Sequence, residues 1–200
     1  MLKIPTGIKN IIFDLGGVIL DIDTDSTFHA FTKLGFRRAD DSMIDRDFLN
    51  FLFDFEKGLI SEEEFPNEIL KFTNKKPSKE QIYEAWNIML LAYKQEKIDF
   101  LKKIKSEYRT FLLSNTNIIH ARYYNNMLKT KHGVNGLDEL FETVYYSHDL
   151  KLRKPDPQIF QLVLDKEKLI PSETLFVDDM EENVEAAVAL GIVGHVYADD

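Results

Sequence analysis

The chain has 200 residues, enough for one sizeable domain or a core with a smaller insertion, and either can bury an apolar interior without cross-links. It contains no cysteine, which removes thiol catalysis, cysteine-zinc sites and a disulfide framework and fits a reducing, cytoplasmic setting. With 34 acidic against 25 basic residues the formal charge is -9, which argues against nucleic-acid binding and favours a small-molecule substrate. The five histidines (His29, His120, His132, His148 and His195) show no pair at ligand spacing, so zinc chemistry is not expected. Neither the opening MLKIPTGIKN nor any later stretch has the apolar length of a signal peptide or a membrane span.

In chain order, residues 8–14 form the first short apolar run of strand length, closing with Ile11, Ile12, Phe13 and Asp14 before breaking at Leu15, Gly16 and Gly17. Residues 24–93 hold almost no strand signal, carry many phenylalanines at helical spacing, and contain two capping boxes, Ser61 with Glu64 and Ser78 with Gln81. Their aromatics, Phe48, Phe51, Phe53, Phe55 and Trp86, are expected to build a helical-bundle core, with room for one of them to face a ligand. Strand-like runs return at 109–114, 143–147, 174–178 and 192–197. From about residue 95 they alternate with helical patterns such as Val184, Ala187 and Val188, stopped by Gly191.

Alternating strand and helix implies a parallel sheet covered on both faces. The expected fold is α/β: a Rossmann-like parallel sheet core with helices on both faces, from residues 1–23 and 94–200, plus an inserted all-α cap domain at 24–93. The cap should lie over the carboxyl ends of the strands, where open α/β sheets bind ligands.

Four segments carry candidate chemistry. Asp14 closes a buried strand and is followed by two glycines that let backbone approach a ligand or metal closely, although taken alone it equally suits a turn former. Ser114, Asn115 and Thr116 follow an apolar run and lead into a helical pattern. A hydroxyl, an amide and free helix N–H groups there make a phosphate site or a simple N-cap. Lys154, in Arg153-Lys154-Pro155-Asp156-Pro157, precedes a proline that opens a helix, and its ammonium can neutralise a phosphoryl oxygen or decorate the surface. Asp178 and Asp179 end another apolar run. One acid there serves as a cap, but two are costly without a cation, and hard carboxylate oxygens suit Mg²⁺.

The order acid, hydroxyl, lysine, acid pair, each at a strand end or helix start, is what joins these signals. FDLGGVIL, LLSNTN, RKPDPQIF and FVDDMEENVEAA resemble the four motifs of the haloacid dehalogenase superfamily, and the resemblance covers nearly the whole chain, with 24–93 resembling its helical type of cap. The resemblance implies a phosphoric monoester phosphatase in which Asp14 forms an aspartyl-phosphate. It further implies that Ser114 and Asn115 hold phosphoryl oxygens and that Lys154 neutralises nucleophile and phosphate. Mg²⁺ would be bound by the Asp14 carboxylate, the Gly16 carbonyl and Asp179, with Asp178 contacting it through water.

One position departs from the pattern. Most phosphatases of the family carry a second Asp two residues after the nucleophile as general acid-base, a role worth ~10²- to 10⁴-fold, whereas this chain has Gly16. Glu56 in the Glu56-Lys57-Gly58 turn, Asp21 and Asp23 are candidate replacements. Alternatively, the substrate needs little leaving-group protonation, as a sugar 1-phosphate would, and members with a similar DLGG or DLGN motif look like sugar-phosphate phosphatases. Two rivals remain: a 2-haloacid dehalogenase, which also lacks the second Asp but has no use for an Asp178–Asp179 metal pair, and a catalytically weak binding or regulatory protein of the same fold.

Overall fold

A computed structural model of the chain describes residues 2–36 and 46–198; residues 37–45 of the expected helical segment lie outside the described residues. The elements in chain order are β1 (Asn10–Phe13), β2 (Leu20–Ile22), α1 (Thr24–Lys33), α2 (Arg46–Glu56), α3 (Phe65–Lys71), α4 (Lys79–Asn87), β3 (Leu90–Tyr93) and α5 (Gln95–Ile104). They continue with β4 (Arg109–Ser114), α6 (Ile118–His132), β5 (Thr143–Tyr146), α7 (Ser147–Leu150), α8 (Pro157–Glu167), β6 (Thr174–Asp178), α9 (Glu181–Val188) and β7 (Val193–Val196).

Five strands form one parallel sheet in the order β5-β4-β1-β6-β7. Successive side chains of a strand point to opposite faces, and both faces are apolar. Ile11, Phe13, Leu112, Leu175 and Val177 pack with Ile98 and Leu101 of α5 and Tyr124 and Leu128 of α6. Ile12, Phe111, Leu113 and Phe176 pack with Ile159, Phe160 and Val163 of α8 and Ala187 of α9. Burial on both sides explains why the strands read as continuous apolar runs rather than alternating ones.

Because the chain winds from β1 to β4 and β5 on one side and returns to β6 and β7 on the other, the winding reverses beside β1. Open α/β sheets bind ligands at the carboxyl end of such a switch point. Asp14 N donates to Val177 O at 2.8 Å, extending the β1–β6 pairing one residue beyond Phe13↔Val177 and setting Asp14 beside Asp178.

Helices α1 to α4 share a separate apolar cluster in which Phe31, Phe48, Phe55, Phe65 and Trp86 are buried, so the aromatics expected to form a bundle core do so. Phe53 is the exception, 37% exposed. Both expected capping boxes form. Ser78 and Gln81 exchange side-chain and backbone bonds at the start of α4, and Ser61 and Glu64 do the same before α3. The 24–93 stretch is not helical to its end: Leu90–Tyr93 is a strand antiparallel to β2. Four residues are too few for a period-2 pattern to stand out beside the helical pattern of α4.

Candidate active site

The four segments converge at the carboxyl end of β1. Asp14 leaves β1 into a tight turn in which Ile19 N and Leu20 N both donate to Leu15 O, and Gly17 N donates to Leu20 O. Gly17 adopts φ +72, a conformation glycine takes without strain, and a Cβ there would overlap the Asp179 carboxylate. The turn thus needs glycine for both conformation and space. Gly16, directly after Leu15, bridges to Leu20.

Lys154 is 1% exposed, and its Nζ donates to Asp14 Oδ1 at 2.6 Å and to Asp178 Oδ2 at 2.6 Å. Asp178 Oδ1 accepts from Met180 N at 2.8 Å and Asn183 Nδ2 at 3.0 Å, so this carboxylate also orders the start of α9. Carboxylate oxygens of Asp14, Asp178 and Asp179 all lie within 4.8 Å of one another. Ser114 is buried at the end of β4, next to β1. Asn115 clamps the Lys154 main chain, its Nδ2 donating to Lys154 O at 2.9 Å and its Oδ1 accepting from Lys154 N at 2.8 Å. The structure therefore brings Asp14, Lys154, Asp178 and Asp179 into one cluster, with Gly16 in the turn beside it, and turns the Asn115 side chain toward the lysine backbone.

The electrostatics follow from charges that do not balance. Burial works against the Lys154 ammonium, but Asp14 and Asp178 outweigh it and hold its pKa above the usual lysine value. Burial, helped by the neighbouring Asp178 and opposed by Lys154, leaves Asp14 raised to about 6. Burial and Asp178 also raise Asp179. Three carboxylates facing one ammonium leave an uncompensated negative charge. Excess carboxylate in a partly dry site is the condition a divalent cation relieves, and hard oxygen donors that close together fit one.

Sequence reading missed three supporting residues. Asn183, one helical turn past the acid pair, orients Asp178. Ser147 Oγ accepts from Thr116 N at 2.8 Å and lies within donating range of Glu56 O at 2.6 Å and Thr116 O at 2.9 Å. Arg153 pairs through Nε with Glu56 Oε2 at 2.9 Å. Of these, Asn183 and Arg153 had a local signal, their places in the fourth and third segments, and Ser147 had none.

The three candidates for a missing general acid are all engaged. Asp21 lies within ion-pair distance of Lys94 and Lys97. Asp23 is the N-cap of α1, and its bonds from Ser26 hold it below the usual carboxylate range. Glu56 is raised by burial despite Arg153, with which it is paired.

A parallel sheet in this order, bearing an acid after its central strand, a buried lysine and an acid pair on the neighbouring strand, defines the haloacid dehalogenase fold class. Residues 8–191 match the family model described as haloacid dehalogenase-like hydrolase, and the chain belongs to that family. It is 34% identical over 185 residues to D-ribitol-5-phosphate phosphatase of Bacteroides thetaiotaomicron, covering 92% of this chain and 89% of that protein. A crystal structure of a haloacid dehalogenase family enzyme from the same organism, in complex with magnesium, superposes with TM-score 0.85 at 36% identity, covering 96% of this chain and 94% of the other. A complex with magnesium and inorganic phosphate gives TM-score 0.80 at 36% identity, covering 94% and 93%. Among the described residues no helix is long and apolar enough to cross a membrane.

Proposed function

We propose that the chain is a Mg²⁺-dependent phosphomonoesterase acting on a small phosphorylated metabolite, a sugar or polyol phosphate, through an aspartyl-phosphate on Asp14. The observation that carries this reading is the cluster of Asp14, Asp178 and Asp179 oxygens within 4.8 Å of one another, opposed by a single ammonium. Asp14, Asp179 and the Gly16 carbonyl would hold the ion, with Asp178 reaching it through water, and the ion when bound screens the repulsion between carboxylate and phosphate dianion. The magnesium complexes of the similar enzyme support that assignment.

In this scheme an Asp14 oxygen attacks phosphorus, the ester oxygen leaves with its electron pair, and water then cleaves the acyl phosphate to free Asp14 and inorganic phosphate. Lys154 keeps the Asp14 carboxylate oriented and offsets charge on the transferring group. Ser114 would take a phosphoryl oxygen. Asn115 would act through its clamp on Lys154 and, with its N–H, on phosphate.

The chain is divided in this reading into a core, 1–23 and 94–200, and a cap, 24–93, an organisation supported by the apolar cluster that α1 to α4 share, which Ile119 of α6 joins, while Leu90 and Tyr93 at the end of the cap pack in the core cluster. A cytoplasmic setting fits the acidic, cysteine-free composition. Ribitol 5-phosphate has no anomeric carbon, so the relative named for it favours a terminal phosphate over the 1-phosphate that Gly16 alone suggested.

A panel of alditol 5-phosphates, aldose 6-phosphates and aldose 1-phosphates tests the reading, assayed with Mg²⁺, after chelation, and with Asp14→Asn. Release of phosphate should require the metal, vanish in the mutant and favour terminal phosphates. A wild-type protein silent on the whole panel would instead support a binding or regulatory role.

A further inference from the structure

The end of α2 and the turn after it dock on the segment that delivers Lys154. Ser147 Oγ lies 2.6 Å from Glu56 O, Lys151 Nζ donates to Gly58 O at 2.6 Å, and Arg153 Nε donates to Glu56 Oε2 at 2.9 Å. The Arg153 guanidinium lies 3.9 Å from the centre of the Phe53 ring, which explains why this aromatic, alone among those expected in the bundle, stands outside it. A Cβ on Gly58 would strike the His148 carbonyl, so the two backbones are packed without space between them.

The same segment reaches the chemistry at two points. Lys154 follows Arg153 directly, with its ammonium on Asp14 and Asp178, and Ser147 Oγ accepts from Thr116 N with Thr116 O also in reach, at the end of the Ser114–Thr116 loop. Arg153 and Glu56 are both partly buried, so removing either one leaves the other's charge desolvated without its partner.

From this geometry, and resting on the phosphatase reading above, we propose that Arg153 is a positioning residue: gripped by Glu56 and Phe53 of the cap, it sets the backbone that places Lys154, so that cap docking completes the site. The substrate need not touch Arg153 for this to hold. A hydroxyl has one proton, so Ser147 gives it either to Glu56 O or to Thr116 O. Undocking the cap leaves this hydroxyl its two Thr116 partners in the core, so the loss falls on Arg153.

The test compares Arg153→Ala, Arg153→Lys, Glu56→Gln and the milder Phe53→Leu with a control, Glu62→Gln. The control breaks a different cap–core ion pair, Glu62 with Arg122, carried by α6 rather than by the 147–154 segment. Turnover of p-nitrophenyl phosphate with Mg²⁺ is measured beside thermal melting and amide hydrogen exchange of residues 151–156. Arg153→Ala should lower kcat about 10- to 100-fold, as small misplacements of catalytic groups do. KM should stay near wild type, the melting temperature should fall by a few degrees as the partly buried pair is lost, Arg153→Lys should recover part of the loss in kcat, and Glu56→Gln combined with Arg153→Ala should add little to it.

Exchange at 151–156 should quicken in Glu56→Gln and not in Glu62→Gln. A rise in KM alone would make Arg153 a substrate contact and overturn the proposal, as would an equal loss of kcat in the control. If wild type hydrolyses no ester, the phosphatase reading fails, and exchange decides the coupling by itself: unchanged protection in Glu56→Gln rejects it, faster exchange retains it.

Discussion

Asp178 gives one carboxylate oxygen to the Lys154 ammonium at 2.6 Å and keeps the other for the first turn of α9. The acid is fully buried and the lysine nearly so, and Asp14 draws on the same ammonium. Lys154→Met should therefore strand two buried carboxylates and cost about 3–5 kcal/mol, the usual penalty for removing one partner of a buried pair. Urea unfolding in a chelator measures it; a loss below about 1 kcal/mol, the level of an exposed pair, would show that these acids are not held by the lysine.

Gly17→Ala tests whether the turn after β1 makes room for Asp179. Strain at φ +72 should cost about 1–2 kcal/mol, and the displaced carboxylate should raise the Mg²⁺ concentration needed for half-maximal activity. Gly133→Ala, at φ +66 with open space around its Cβ, carries the same backbone strain without the collision. It should lose stability and leave the metal response alone. Equal metal responses in the two variants would remove Asp179 from the ion's surroundings.

Gly16 has no positive φ, and a Cβ there meets only Ile22, at 3.3 Å to Cδ1. Gly16→Asp should therefore fold with a small shift of Ile22. It should supply the acid most relatives use, raising kcat for alkyl phosphates relative to aryl phosphates by about tenfold or more. If the alkyl-to-aryl ratio does not move, leaving-group protonation is already provided for.

His120 predicts a pH effect on stability rather than on catalysis. It is buried, stacks on Trp86, and its Nε2 lies 3.0 Å from the Trp86 carbonyl, facing no acid there; burial lowers its pKa to about 4. An unfolded histidine titrates near ~6.5. Between those values the unfolded chain binds the extra proton, so this stabilisation is complete above the unfolded pKa and is lost as pH falls through that window toward 4. About 3 kcal/mol is at stake. Chemical unfolding of wild type and His120→Gln from pH 7.5 to 4 should show the mutant's stability falling less steeply; parallel curves would exclude the histidine as the cause.

The sheet was legible because its central strands β1, β4 and β6 are buried on both faces and announce themselves as short branched or aromatic runs, and β4 and β6 fall on the residues expected. The β2–β3 pair was not, because β2 has three residues and β3 is exposed in its middle, so neither stands out as a buried run beside the helical pattern around it. Within the site, Asp14, Asp178 and Asp179 could be picked out since each stands where an apolar run stops, and Lys154 since it precedes the proline before α8. The partner of Asn115 could not be read, since an amide after a strand caps a helix, binds an anion or clamps a backbone with equal ease. Glu56 and Arg153 are 97 residues apart, and only the docking of α2 on α7 joins them.

Trp86 is the sole tryptophan of the chain, and it sits where α4 meets α6, its ring 4.6 Å from His120 and its Nε1 donating to Asn117 Oδ1 at 3.3 Å. Light absorbed at the red edge of the aromatic band is therefore emitted from one known joint between the two halves of the molecule. The protein carries an intrinsic optical gauge of that seam, readable without any attached dye.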